Sequence, residues 1–152
     1  MDPITNAHVL TDDVGFLLSR ASGLFVRATN AALLSYGLRV RSYSVLLLAC
    51  EAAEGVTQRD LAEVLGLDPS QVVLLVDELA DSGLVERRPS DSDRRTKLVV
   101  ATAAGHALRA EAVVEVGAAV SAQLADLTGT EQFLLRDLLG RLVRGNGGAF
   151  PA

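Results

Sequence analysis

TQRDLAEVLGLDPSQVVLLVDELADSGLV, Thr57 to Val85, holds two helix starts and two helix stops in close succession. Thr57 with Asp60 three residues on has the spacing of a capping box, opening a helix that turns Leu61, Ala62 and Leu65 inward. Gly66 ends that helix. After a turn of about three residues, Asp68 can cap a second helix with Pro69 at its first position, where the missing N–H costs nothing. Val72, Leu75, Val76 and Leu79 then recur as one buried stripe until Gly83 closes the helix. Two short helices joined this tightly have the outline of a helix-turn-helix.

The flanks extend the pattern. LVERR and TKLVVAT are rich in strand formers and enclose the polar PSDSDR, which predicts a β-hairpin, or wing, directly after the second helix. Upstream, Thr11 with Asp12 and Asp13 in a first turn predicts a long helix, with Val14, Leu17, Ala21, Leu24, Ala28 and Ala31 along one stripe and Gly37 as its stop. A further helix is expected after Ser42, apolar all round at VLLLAC and ended by Gly55. Downstream, Thr102 opens an Ala- and Val-rich helix to about Asp126, and a Thr128–Glu131 capping box opens a last one through FLLRDLLGRLV. The fold class is therefore mainly α with a small β-hairpin wing. The first and last helices carry apolar faces that a winged helix does not need for itself, and a second copy is their simplest partner. We expect one domain over 1–152, with a winged helix-turn-helix lobe at about 38–102. Dimerisation helices are expected at about 8–36 and 103–144, and a flexible tail at 145–152.

Composition sets limits. The chain has 152 residues, enough for one well-packed domain, and no apolar run near the roughly 18 residues of a membrane span. MDPITNAHVL has no basic segment or signal pattern, and the single Cys50 suits a reducing compartment, so a soluble cytoplasmic protein without membrane contact is expected. With no Trp and two His, a metal site would have few nitrogen or sulfur ligands. A net charge of −5 argues against indiscriminate nucleic-acid binding, yet five of the 14 basic residues lie between Arg87 and Lys97.

Taken in this order and spacing, LDPSQVVLLVDELADSGLVER, the wing with Asp93, Arg94 and Arg95 as an Asp-x-Arg motif, and the TAAG helix start resemble the MarR family of bacterial transcription regulators, over roughly Thr11 to Arg144. The resemblance implies a homodimer held by its first and last helices, with one helix in the DNA major groove and the wing in the minor groove. It also implies a small-ligand pocket between the dimerisation helices and the DNA-binding lobe.

At the wing, the resemblance makes Arg95 the groove-inserting residue and Asp93 its orienting partner. The physical basis is the enhanced negative potential of a narrow minor groove. Arg94 and Lys97 would contact phosphates. A solvated hairpin tip is the bland alternative, and Asp91 with Asp93 as a metal pair is a poor one, since hard cations need more oxygens. In the recognition helix, Ser70 and Gln71 can reach phosphates and base edges, and Val73 and Leu74 face outward. Glu78 stands where family members commonly carry a basic residue, and the helix has no Arg or Lys. Either Val73 and Leu74 pack on thymine methyls while Arg59, the wing and Arg39 and Arg41 supply charge, or the protein binds DNA weakly or has another partner.

The remaining candidates are slighter. Some family members sense peroxide through a cysteine near the start of the first helix, but Cys50 lies within VLLLAC, where burial would raise its pKa. His8, in a disordered-looking start, and His106, in the first turn of a helix, read as ordinary surface residues. Phe16, Tyr36 and Tyr43 are candidates for a pocket holding a small phenolic or anionic ligand, on family habit alone. No nucleophile with a base at motif spacing, phosphate-cradling loop or metal cluster points to an enzyme, and no cofactor is expected. The expected function is a homodimeric repressor released from a palindromic DNA site by a small molecule. The alternatives are a dimeric protein-interaction module that does not read DNA and a cysteine-based redox sensor.

Overall fold

The computed structural model describes residues 7–148. Its elements run α1 (Ala7–Thr11), α2 (Val14–Leu33), a 3-10 turn (Leu34–Tyr36), α3 (Val40–Glu51), β1 (Val56–Thr57), α4 (Gln58–Leu65) and α5 (Pro69–Asp81). They continue with β2 (Val85–Pro89), β3 (Lys97–Ala101), α6 (Ala103–Gln123) and α7 (Gly129–Gly145). The winged helix-turn-helix expected from the sequence is present, with an addition. β1 joins the hairpin, giving a three-stranded antiparallel sheet in the order β1-β3-β2. At two residues, β1 is too short to show an alternating pattern, so only its pairing with Val99 and Leu98 of β3 reveals it.

The helix ends correct several boundaries. The start is helical at Ala7–Thr11 rather than disordered, which puts His8 in a helix. Asp13, not Thr11, caps α2, its carboxylate accepting the Phe16 N–H at 2.6 Å. α3 begins at Val40 rather than after Ser42, because the Ser42 hydroxyl reaches back to accept the Arg39 N–H at 3.0 Å. It ends at Glu51, and Gly55 instead serves the turn into β1. α6 stops at Gln123, short of Asp126. The expected tail at 145–152 falls partly outside the described residues; Gly145 still belongs to α7, and the Gly148 N–H bonds the Val143 carbonyl.

The core sits where α3, α4 and α5 meet the sheet. Leu33, Val45, Leu46, Leu61, Val72, Val76, Leu79 and Val99 are fully buried, and Leu47, Leu48, Cys50, Leu65 and Leu75 pack around them half-buried. The inward stripes read from α4 and α5 are thus the observed ones. Each fully buried Leu or Val contributes about 1.5–3 kcal/mol relative to exposure, so this cluster fixes the angle between the two short helices. Gly66, with φ 61°, makes the left-handed turn between them that a side chain would resist.

α6 docks on the lobe through the TAAG start. Thr102 Oγ1 accepts the Gly105 N–H at 3.0 Å and donates to the Gly83 carbonyl at 2.7 Å. A Cβ at Gly105 would overlap the Leu84 carbonyl oxygen, so only glycine allows so close an approach. α6 then runs along α2. α7 opens at the Thr128–Glu131 capping box, whose bonds hold the Glu131 carboxyl below its ordinary pKa. None of its residues is buried, and Phe133, Leu134, Leu138 and Leu142 are each at least half exposed.

Candidate nucleic-acid interface

α5 presents its outer face at the edge of the lobe. Asp68 precedes it and Pro69 is its first residue, as the sequence implies. Gln71 has a role the sequence reading did not assign: its side-chain oxygen accepts the Asp68 N–H at 3.3 Å, which leaves the amide NH2 as the group still able to donate outward. Ser70 is exposed beside it, and Val73 and Leu74 point outward at 38 % and 64 % exposure. Arg59, exposed on α4, shares with Val73 a groove of about 470 Å3 that Gln58, Ala62, Glu63, Leu67 and Pro69 complete.

The wing tip spans 90–96. The Ser90 N–H bonds the Thr96 carbonyl at 2.9 Å, and the Thr96 N–H bonds the Asp93 carbonyl at 2.9 Å. One Asp93 carboxylate oxygen accepts the main-chain N–H of Arg95 at 3.0 Å, and the other accepts the Thr96 hydroxyl at 3.4 Å. The carboxylate expected to hold the Arg95 side chain thus bonds the loop's main chain and the Thr96 hydroxyl, and among the described residues it is in no ion pair with a guanidinium. The sequence could not distinguish the two, because an Asp two residues before an Arg suits either an ion pair or a side-chain turn. The same bonds occupy the carboxylate considered for a metal pair. Arg94, Arg95 and Lys97 are exposed, and among the described residues none of them, nor Arg59, is in an ion pair.

Sequence reasoning missed a polar link between wing and helices. On β2, Arg87 pairs opposite Val99, on the inward side of the hairpin. Its guanidinium bonds Asp77 of α5 at 2.7 Å and the Gln58 side-chain oxygen at 2.9 Å. The signal was available in the period-two alternation that puts Arg87 on the same face as buried Val85.

A second concavity lies behind α5. A cavity of about 500 Å3 is lined by Val26 and Asn30 of α2, Gly37, Arg39 to Ser42, and Leu75 and Glu78 of α5. The Asn30 side-chain oxygen accepts the Val40 N–H at 2.9 Å, tying α2 to the start of α3 at the cavity wall. Phe16, Tyr36 and Tyr43 do not line it. Phe16 is partly exposed on α2, and Tyr43 is a core residue whose phenol burial pushes up in pKa, with Arg109 opposing. The Tyr36 phenol is also raised, by burial and then by Glu115 and Glu111.

Cys50 is half-buried, and burial raises its thiol pKa above the ordinary value, with nearby Arg109 acting against this. That Arg109 is paired with Glu51, joining α6 to the end of α3. His106 is exposed in the first turn of α6. Among the described residues, no group of three or more His, Cys, Asp and Glu could hold a metal ion, and no helix is long and apolar enough to cross a membrane.

Comparison with known proteins agrees with this geometry. Residues 36–96 match the model of the MarR family. The chain is 34 % identical over 137 residues to the HTH-type transcriptional repressor Rv2887 of Mycobacterium tuberculosis, covering 88 % of this chain and 96 % of that protein. It is similar to the crystal structure of CouR from Rhodococcus jostii RHA1 bound to p-coumaroyl-CoA: 51 % identity, TM-score 0.83, over 94 % of this chain and 96 % of that one. The Rv2887 complex with salicylic acid matches at 30 % identity and TM-score 0.69, over 87 % and 98 % of the two chains.

Proposed function

The chain belongs to the MarR family of transcription regulators, and from that membership we propose that it represses transcription as a homodimer. In this reading the dimer grips a palindromic DNA site in the cytoplasm and releases it when a small aromatic acid, or its coenzyme A thioester, binds.

The observation that carries the DNA reading is the wing. A hairpin whose tip is internally bonded holds Arg94, Arg95 and Lys97 in solvent, and among the described residues none of the three is in an ion pair. Arg95 enters the minor groove, where negative potential is concentrated, and Arg94, Lys97 and Arg59 meet phosphates. α5 enters the major groove. There Gln71 donates its free amide N–H to a base edge, Ser70 meets phosphate, and Val73 and Leu74 pack on thymine methyls. Two-fold symmetry sets the half-sites about one helical turn apart. The second copy covers the apolar residues of α1, α2 and α7, among them Val9, Val14, Phe133, Leu138 and Leu142.

The ligand reading rests on the cavity behind α5. Val26, Val40 and Leu75 give it apolar walls, and Arg39 and Arg41 give it cations for a carboxylate or phosphate. CouR binds p-coumaroyl-CoA and Rv2887 binds salicylic acid, both aromatic and anionic. Because Leu75 and Glu78 of α5 line the cavity, an occupant touches the recognition helix itself. It acts by binding the DNA-incompetent arrangement more tightly than the competent one.

Sequencing the genomic DNA fragments retained by wild-type protein and by Arg95→Ala tests the reading. A few enriched loci sharing a palindrome, lost in the variant and released by p-coumaroyl-CoA or salicylate, are expected. The absence of cations on α5, where Asp77 and Glu78 are both exposed, favours a second reading as a dimeric protein-binding module. Enrichment of no locus by wild type would select it.

A further inference from the structure

We propose that Arg87 is a positioning residue for DNA binding, a brace that sets the wing at a fixed distance from the recognition helix. The inference rests on the DNA-binding reading above.

Three elements that must meet DNA together converge on this one side chain. Arg87 extends from β2, Asp77 from the middle of α5, and Gln58 is the first residue of α4, next to Arg59. The guanidinium spends its NH2 group on Asp77 at 2.7 Å and its Nε on Gln58 at 2.9 Å. Both bonds lie in one plane of a rigid fork, so they constrain direction as well as distance. The hairpin needs such a constraint. The need lies on the β2 arm: β3 is held by its pairing with β1 and by buried Val99 and Ala101, whereas the β2 residues beyond Val85 are half-buried or exposed. Among the described residues, the tip's side-chain hydrogen bonds stay within the tip.

The location of Asp77 supports the same reading. It follows Val73 by four residues and Leu74 by three, which puts it on the outward face of α5. An unpaired carboxylate on a face meeting phosphates would be repelled, and Arg87 neutralises it. Arg87 is only 30 % exposed in its side chain, whereas Arg88, the next residue, points to the other face of the hairpin at 63 % and pairs with Glu86. The two neighbouring arginines therefore have different tasks. A phosphate-binding arginine would keep its fork open to solvent, as Arg94 and Arg95 do.

Arg87→Met keeps the aliphatic stem and removes both bonds; Asp77→Ala removes one bond and an acidic group. On an operator fragment bound by wild type, both variants should lose protection at the wing's minor-groove contacts in hydroxyl-radical footprinting. Protection of guanine N7 from dimethyl sulfate, which reads the major-groove contacts of α5, should persist. Arg87→Met should weaken Kd by roughly tenfold with the slope of log K against log salt unchanged, since no phosphate contact is removed. Arg87→Lys, able to make one bond, should fall between. A slope reduced by about 0.9 in Arg87→Met would make the residue a direct phosphate contact and overturn the brace. Wing protection retained in Asp77→Ala would overturn it too, even if Arg87→Met were too unstable to assay. Failure of the wild type to bind any DNA would sink the functional reading instead.

Discussion

The Asp93 carboxylate accepts the main-chain N–H of Arg95 at 3.0 Å, so the acidic residue of the wing shapes the loop from which the arginine projects, and among the described residues the guanidinium is in no ion pair. An arginine released from its neighbour keeps its full charge and five donors for a partner. What Asp93 supplies to the loop is a pair of hydrogen-bond acceptors, one for the Arg95 N–H and one for the Thr96 hydroxyl.

That role has a direct test. Asp93→Asn retains a side-chain oxygen at the same position and should preserve DNA affinity within about twofold, since Asn forms the same turn. Asp93→Ala should weaken binding several-fold by loosening the tip. Equal losses from Asn and Ala in a fluorescence-anisotropy titration would restore the carboxylate as an ionic partner of Arg95.

Gln71 serves its own helix and, by proposal, the DNA. Gln71→Glu keeps an oxygen for the Asp68 N–H but loses the NH2 donor. It should retain the wild-type melting temperature while losing preference for the operator over scrambled DNA. Gln71→Ala should lose both, with a stability cost of about 0.5–1 kcal/mol, in the range of other caps. Selection from randomised operators, run beside thermal unfolding, separates the two effects.

The exposed leucines of α7 give a test of assembly. Leu138→Arg introduces a charge at a position that is 53 % exposed in the single chain, so it should fold normally. Light scattering should then report the mass of one chain for the variant and two for wild type. An unchanged two-chain mass would remove α7 from the interface.

Gly105→Ala should be costly despite adding one methyl group. The methyl meets the Leu84 carbonyl, a backbone atom that cannot turn aside. Overpacking of this kind typically costs about 1–3 kcal/mol. A denaturant midpoint within error of wild type would mean that α6 can slide away from the lobe without penalty.

The pH dependence of stability follows from burial. Cys50, Tyr43 and Tyr36 all have pKa values raised in the folded chain, Cys50 from an ordinary 9.0 and the tyrosines from 10.0, with burial the leading cause for each. A raised folded pKa contributes stability that is complete below the unfolded value and is lost as pH rises towards the folded value. Unfolding midpoints should therefore fall above about pH 9, where the unfolded chain ionises first. Cys50→Ala should soften the first part of that fall. The same burial predicts slow alkylation by iodoacetamide at neutral pH and DNA binding indifferent to peroxide; reversible release of DNA by peroxide would establish Cys50 as a sensor.

Much of the fold could be read from the chain because its signals are local. Gly66, Asp68 and Pro69 each act on the backbone within a few residues, and the stripe Val72, Val76 and Leu79 repeats at the helical period. The errors fell where a local signal had competitors. Thr11 and Asp13 can both cap, and the structure uses Asp13. Ser42 resembles a cap but acts from the third helical position, reaching back to Arg39.

The order of helix, turn, helix and wing, the outward stance of Val73 and Leu74, and the cluster of cations in the hairpin were determined by the sequence itself, because periodicity and turn chemistry operate over short spans. Tertiary structure alone decided what those side chains bond. The grip of Asp93 on a main-chain N–H, the bridge from Arg87 to Asp77 and Gln58, the close seat of Gly105 on Leu84 and the gathering of Arg39, Arg41 and Glu78 around one cavity all depend on distances set by packing. A hydrogen bond requires an approach within about 3 Å, and residues distant in the chain reach that separation only after the buried core has fixed the angles between their elements.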